Sequence, residues 1–130
     1  MLVVDASAIV DLLVGRQQVS DLLRSHLADA VALCPELMDV EVTQALRRLH
    51  RSGHLSREGA ERALGQLGRL PVERIPHHAL LPRVWELRDT LSAYDATYVA
   101  LAETAGAALL TGDQRLSEAP GLRCTVELVA

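Results

Sequence analysis

The chain contains no lysine and no phenylalanine, and aromatic residues account for 2% of its 130 positions. Without Phe, the core must be filled by Leu, Val and Ala. Without Lys, every fixed positive charge is an arginine, the side chain suited to bidentate phosphate contacts. Cysteine is scarce too. Cys34 and Cys124 stand far apart, with no C-x-x-C spacing, and read as small apolar residues of strands. No apolar run approaches the roughly 20 residues of a membrane-spanning helix. The N-terminus has no basic stretch, and Asp5 would break the apolar segment of a secretion signal. These absences point to a soluble cytoplasmic protein with reduced thiols and no membrane partner.

What is present fits one domain over residues 1–130, large enough for a single core. Hydrophobic residues reach 49%, near the upper end of globular usage. The formal net charge of −4 at first argues against a nucleic-acid partner. If four acids belong to one metal site, however, the remainder is neutral. Charge balance therefore leaves a phosphodiester substrate open.

Short β-like runs alternate with longer helical ones. Strands are expected at Leu2–Val4, Val31–Cys34, Val72–Ile75, Ala107–Leu110 and Thr125–Val129. Helices are expected at Ser7–Val14, Val19–Leu27, Glu36 to Arg51, Ser56–Leu70, His78–Thr90 and Ala93–Ala105, with a short piece after Asp113. Pro35, Pro71 and Pro76 mark element boundaries, where a missing N–H costs little. Strands separated by helices imply right-handed crossovers, hence an α/β fold with a parallel sheet covered on both faces.

Four carboxylates occupy similar places in this pattern. Asp5 ends the first strand and Asp113 follows the fourth. Glu41 lies one turn into the helix after the second strand, and Asp95 in the first turn of the Ala93–Ala105 helix. Ligands of open parallel sheets bind beyond the carboxyl ends of the strands, so all four can meet in one cleft. Each also has a plainer reading. Asp113 alone reads as an N-cap. Asp5 has no capping job if Ser7 caps the first helix. Glu41 flanks the apolar stripe of Met38, Val42, Ala45, Leu46 and Leu49, where a solvated glutamate is ordinary. Asp95 shares a face with Val99, Ala102 and Gly106. A carboxylate on a packing face is expensive unless paired or metal-bound, and a helix N-terminus offsets only about 0.3–1 kcal/mol. Four acids without a neutralising lysine suit a hard divalent cation, Mg²⁺ or Mn²⁺. Such a cation activates water and stabilises charge on a phosphoryl oxygen.

The segments VVDASAIVDLL, PELMDVEVTQALRRL, LSAYDATYVALAE and LLTGDQRL, in this order, resemble the PIN-domain ribonucleases. Within that superfamily they are similar to VapC, the toxin of VapBC toxin–antitoxin pairs. The resemblance runs over nearly the whole chain. It implies a three-layer fold with a parallel five-stranded sheet in the order 3-2-1-4-5. It also implies Mg²⁺- or Mn²⁺-dependent endonucleolytic cleavage of RNA, a VapB-like antitoxin partner and a homodimer. The acids carry over as Asp5, Glu41, Asp95 and Asp113, with the first and third expected to be direct metal ligands. Ser7 and Thr111 would support them through their hydroxyls. That strand order sets Cys34 and Cys124 three strand spacings of roughly 4.8 Å apart, too far for a disulfide.

Arg47, Arg48 and Arg51 fall on the polar face of the Glu41 helix. They read as a solvated face near a helix C-terminus, or as contacts to an RNA backbone. Leu37 and Val40 make that helix partly apolar on a second side, suiting burial or a groove for a partner helix. His50 and His54 are separated by the helix-breaking Gly53, and with His77 and His78 they read as surface histidines. Trp85 reads as core or dimer contact.

Two other classes compete. A haloacid-dehalogenase-type phosphohydrolase requires D-x-D after the first strand and a later lysine; here Ser7 replaces the second Asp and lysine is missing. A response-regulator receiver also needs lysine. A non-catalytic module binding through Leu37 and Val40 would leave the acids structural.

Overall fold

A computed structural model of the chain describes residues 1–15 and 17–129. The strands are β1 (Leu2–Val4), β2 (Ala32–Pro35), β3 (Val72–Ile75), β4 (Ala108–Thr111) and β5 (Val126–Leu128). They form one sheet, all parallel, in the order β3-β2-β1-β4-β5. The helices are α1 (Ala6–Leu13), α2 (Gln17–Ala28), α3 (Leu37–Arg51), α4 (Arg57–Leu67), α5 (Leu81–Glu86), α6 (Ala93–Ala105) and α7 (Gln114–Ser117).

Central β1 is flanked by β2 and β4, and both Val3 and Val4 are fully buried. Successive strand residues point to opposite faces, so both faces of the sheet are covered. One helix group packs α6 against β1, β2 and β4, with α5 against α6. The other joins α1 to β4, α2, α3 and α4. The core is mainly aliphatic, as a chain without Phe requires. Its largest fully buried side chain is Tyr98. Cys34 is buried and donates its thiol to the Val4 carbonyl at 3.3 Å. Cys124 is half-buried, precedes β5 rather than lying in it, and is free like Cys34. No helix among the described residues is long and apolar enough to cross a membrane.

One expectation gives way, and so does the core half of another. The helix expected over His78–Thr90 is a 3-10 turn at His78–Leu80 followed by the short α5. Pro82 is the reason. It lacks an N–H and clashes with the preceding turn, so it starts a helix rather than continuing one. Trp85 is 68% exposed and does not enter the core. The Arg88 guanidinium lies 4.7 Å from its ring centroid instead.

An ion pair sets the start of α3. Arg74 on β3 donates to both Asp39 oxygens at 3.0 Å and to the Leu67 carbonyl at 2.9 Å. The fork ties the first turn of α3 to the sheet edge and so places Glu41, two residues on. Helix α6 begins at Ser92, whose hydroxyl accepts the Asp95 N–H at 3.1 Å. It ends at Gly106, whose φ of +62° is left-handed, a conformation open to glycine.

Candidate active site

The chain leaves β1 at Val4 and enters α1 at Ala6, so Asp5 is the hinge between them. Its backbone is extended and its N–H pairs with the Leu110 carbonyl of β4. That fixes the residue at the carboxyl edge of the sheet, where it is 6% exposed. Two hydroxyls hold it there. Ser7 Oγ donates to Asp5 Oδ2 at 2.7 Å, and Thr111 Oγ1 donates to the same oxygen at 2.8 Å.

Ser7 is therefore not the cap expected. The N-cap position belongs to Asp5, and Ser7 sits inside α1. Its hydroxyl turns to Asp5 and accepts the Gly112 N–H at 3.0 Å. Thr111 likewise accepts the Asp113 N–H at 3.0 Å. Each hydroxyl spends its single proton on Asp5 and offers a lone pair to the β4–α7 turn. The ends of β1 and β4 are thereby joined through Asp5.

Glu41 faces this point from α3, where Met38, Val42 and Leu46 form the buried stripe. Its Oε1 accepts the Tyr98 hydroxyl at 2.7 Å. Tyr98 was not singled out from the sequence, although it lies three residues after Asp95 and so on the same helical face. Asp95 approaches from the first turn of α6. Asp113 follows β4 and does cap α7, accepting the Arg115 N–H at 2.9 Å. The Arg115 guanidinium also holds it, at 3.3 Å to Oδ1 and 3.0 Å to Oδ2. This partner too went unread in the sequence.

The acids act on one another. Burial pushes the Asp5 carboxyl above its ordinary range, Ser7 and Thr111 partly oppose this, and Asp113 adds to the rise. Burial likewise raises Glu41; the Tyr98 bond opposes, while Asp5 and Asp95 add to it. Asp95 is raised by burial and then by Asp5 and Asp113. Asp113 alone is lowered, chiefly because Arg115 bonds to its charged form. Three carboxyls thus share a region that disfavours their charge.

The donors fit a hard divalent cation in type and charge, being carboxylates in mutual repulsion with hydroxyls beside them. Among the described residues, no three His, Cys, Asp or Glu side chains form a ready-made ligand cage. Asp95 and Asp113 line a cleft of about 580 Å³, together with Ser92, Arg115 and Leu116. Glu41 borders a second groove of about 380 Å³ with Leu37, Val40, Gln44, Arg48 and Tyr94. Arg47, Arg48 and Arg51 are all exposed. Arg48 lines that groove, whereas Arg47 and Arg51 are not among its lining residues. His50 and His54 are exposed, as expected, and bond the Leu55 carbonyl and Ser52. His78 is exposed too, but His77 is half-buried, with its Nδ1 out of reach of solvent and without a hydrogen-bond partner among the described residues. The chain packs it at the start of the turn that follows Pro76 rather than leaving it on the surface.

Thr111→Val tests the hydroxyl bridge, because Val is close to Thr in shape but makes neither bond. It leaves the Asp113 N–H unpaired and Asp5 with one hydroxyl. We expect a loss of about 1–2 kcal/mol in urea unfolding, with Thr111→Ser recovering most of it.

The PIN domain family model matches residues 2–122. Ribonuclease VapC1 of Mycobacterium tuberculosis is 45% identical over 128 residues, covering 98% of this chain and 96% of that protein. The crystal structure of PAE2754 from Pyrobaculum aerophilum has a TM-score of 0.69 at 28% identity, covering 96% of this chain and 81% of that one. VapBC2 from Rickettsia felis, solved bound to a DNA fragment from its promoter, has a TM-score of 0.74 over 98% of this chain and 97% of that one. At 13% identity the latter shows a shared fold. The chain belongs to the PIN-domain family, in its VapC ribonuclease branch.

Proposed function

We propose that the chain is the endoribonuclease toxin of a cytoplasmic toxin–antitoxin pair and hydrolyses RNA phosphodiester bonds with Mg²⁺ or Mn²⁺. The observation that carries this reading is the electrostatic coupling of Asp5 with Asp113, and of Glu41 and Asp95 with Asp5, in which burial and like charge raise the pKa of Asp5, Glu41 and Asp95. Such a group is costly until a cation neutralises it, and a carboxylate-held cation supplies activated water and charge stabilisation at phosphorus.

The roles follow from placement. Asp5 is the rigid member, clamped between Ser7 and Thr111 at the junction of β1 and β4. Asp95 stands across from it on the first turn of α6. Glu41 is oriented by the Tyr98 hydroxyl and positions water or the ion from the α3 side. Asp113 completes the set from the α7 turn. Arg48, which lines the groove beside Glu41, is the arginine we assign to the RNA backbone. VapC-named relatives and the VapBC complex favour a VapB-like antitoxin as the second partner.

The test is incubation of purified protein with total bacterial RNA, with and without Mn²⁺, and mapping of new 5′ ends. Equal cleavage by wild type and Asp5→Ala would sink the reading. Binding has its own readout. Mn²⁺ at about a hundred times its dissociation constant should stabilise the EDTA-stripped protein by about 2.7 kcal/mol in thermal melts. Protons compete for the same oxygens, and the pKa values of Asp5, Glu41 and Asp95 are raised. The Mn²⁺ effect should therefore already shrink above the ordinary carboxylate range, as pH falls from 7.5 toward about 5. A pH-independent shift would place the ion elsewhere.

A further inference from the structure

Arg115 stands in the cleft with a charge that the capping of α7 does not need. The cap is made by its backbone N–H on Asp113 Oδ1 at 2.9 Å, which any residue supplies. The guanidinium is a separate contact, with Nε and Nη2 on the two Asp113 oxygens at 3.3 and 3.0 Å. Its side chain is 89% exposed, so no packing holds it there. It lines the same cleft as Asp95 and Asp113.

We propose that Arg115 is a substrate-binding residue of the nuclease: its guanidinium rests on Asp113 while the carboxylates are bare and turns to an RNA phosphate when they hold their cation. The proposal rests on the nuclease reading above. Three features support it. First, the arginine fork covers the Asp113 oxygens that a cation would use, so the two compete. Second, a phosphodiester offers two non-bridging oxygens, the geometry a planar guanidinium matches. Third, a cleft walled by Asp95, Asp113 and Glu118 repels an RNA backbone unless a mobile cation stands at its lip.

The rival account is a simple plug, in which Arg115 only neutralises Asp113. The two differ in sign. Arg115→Met keeps the backbone cap and an unbranched side chain while removing the charge. By titration calorimetry with Mn²⁺ alone, it should bind the ion several-fold tighter. On an RNA fragment carrying a mapped cleavage site, its kcat/KM should fall about 10- to 100-fold, the worth of a charge-assisted phosphate contact. The slope of log kcat/KM against log salt should flatten by about 0.7. Arg115→Lys should keep the salt slope and recover part of the rate. Cleavage at or above the wild-type rate, or unchanged Mn²⁺ affinity in Arg115→Met, overturns the proposal and leaves the nuclease reading standing. Wild type that neither binds Mn²⁺ nor cleaves RNA overturns both.

Discussion

Asp5→Asn should lower Mn²⁺-dependent RNA cleavage by about a thousandfold and, in EDTA, raise the melting temperature. Both effects come from the same charge. A thousandfold is about 4 kcal/mol of transition-state stabilisation, within the several kcal/mol expected of a metal-centred charge stabiliser. Asparagine retains an oxygen for the Ser7 and Thr111 hydroxyls, so the β1–β4 junction survives. The neutral amide also removes the repulsion that couples Asp5 to Glu41, Asp95 and Asp113. Folding no longer has to bury a carboxylate among carboxylates.

The sign of the stability change follows from the raised Asp5 pKa. The folded state binds its proton more tightly than the unfolded chain, whose Asp5 titrates near 3.8. Wild-type stability therefore falls as pH rises from that value through the raised folded pKa. The Asn variant escapes this loss. Its advantage in metal-free buffer should be present near pH 7.5 and should vanish near pH 3, below the unfolded value. Added Mn²⁺ should reverse the order, because only wild type gains from the ion. Such a trade of stability for function is common where a site is built against its own folding. A variant that loses activity and also melts lower in EDTA would show Asp5 to be structural.

How far the sequence discloses this site depends on what kind of information each residue needs. Asp5 and Asp95 are legible because a charge at the end of a buried strand, or on the packing face of an apolar helix, contradicts local pattern. Contradictions of that kind accumulate at functional sites. The parallel sheet is legible from alternation of elements, and its order from the resemblance to a known family. Ser7 misleads, because Ser before a helix is a common cap, whereas here its hydroxyl answers Gly112, just past β4 and more than a hundred residues away. Only the pairing of β1 with β4 brings Gly112 within its reach. Tyr98 and Glu41 meet through the packing of α6 against the sheet near α3, information that no local window holds. Arg115 is two residues from Asp113, yet its fork is a matter of rotamer rather than sequence. The broken helix before α6 was readable in principle, since Pro82 sits inside the apolar pattern and forbids a continuous helix from His78.

The second large effect lies away from the cleft and should leave its chemistry alone. Arg83→Met should destabilise the chain by about 2–3 kcal/mol at pH 7. Arg83 on α5 donates to both oxygens of Glu103 on α6, at 2.7 and 3.1 Å, and to the Gly121 carbonyl at 3.1 Å. Glu103 also accepts the Arg123 N–H at 2.7 Å. The pair therefore joins α5, α6 and the segment leading to β5. Its side chains are only 19% and 10% exposed, so losing the arginine strands a largely buried carboxylate. The effect is greater than that of a surface ion pair and less than that of a fully buried one. Burial raises the Glu103 pKa, but its bonds to Arg83 and Arg123 outweigh that and hold it below the ordinary value of 4.5. A depressed folded pKa contributes stability that is fully present above the unfolded value and is lost as pH falls through the folded one. The deficit of Arg83→Met should thus be full at pH 7 and should narrow below about pH 4.5 in urea-unfolding series. Mn²⁺ affinity and RNA cleavage at 15 °C should stay within about twofold of wild type, since the pair touches none of the four acids. A deficit that is constant from pH 7 to pH 3 would mean that Arg83 acts through the packing of its aliphatic stem rather than through Glu103.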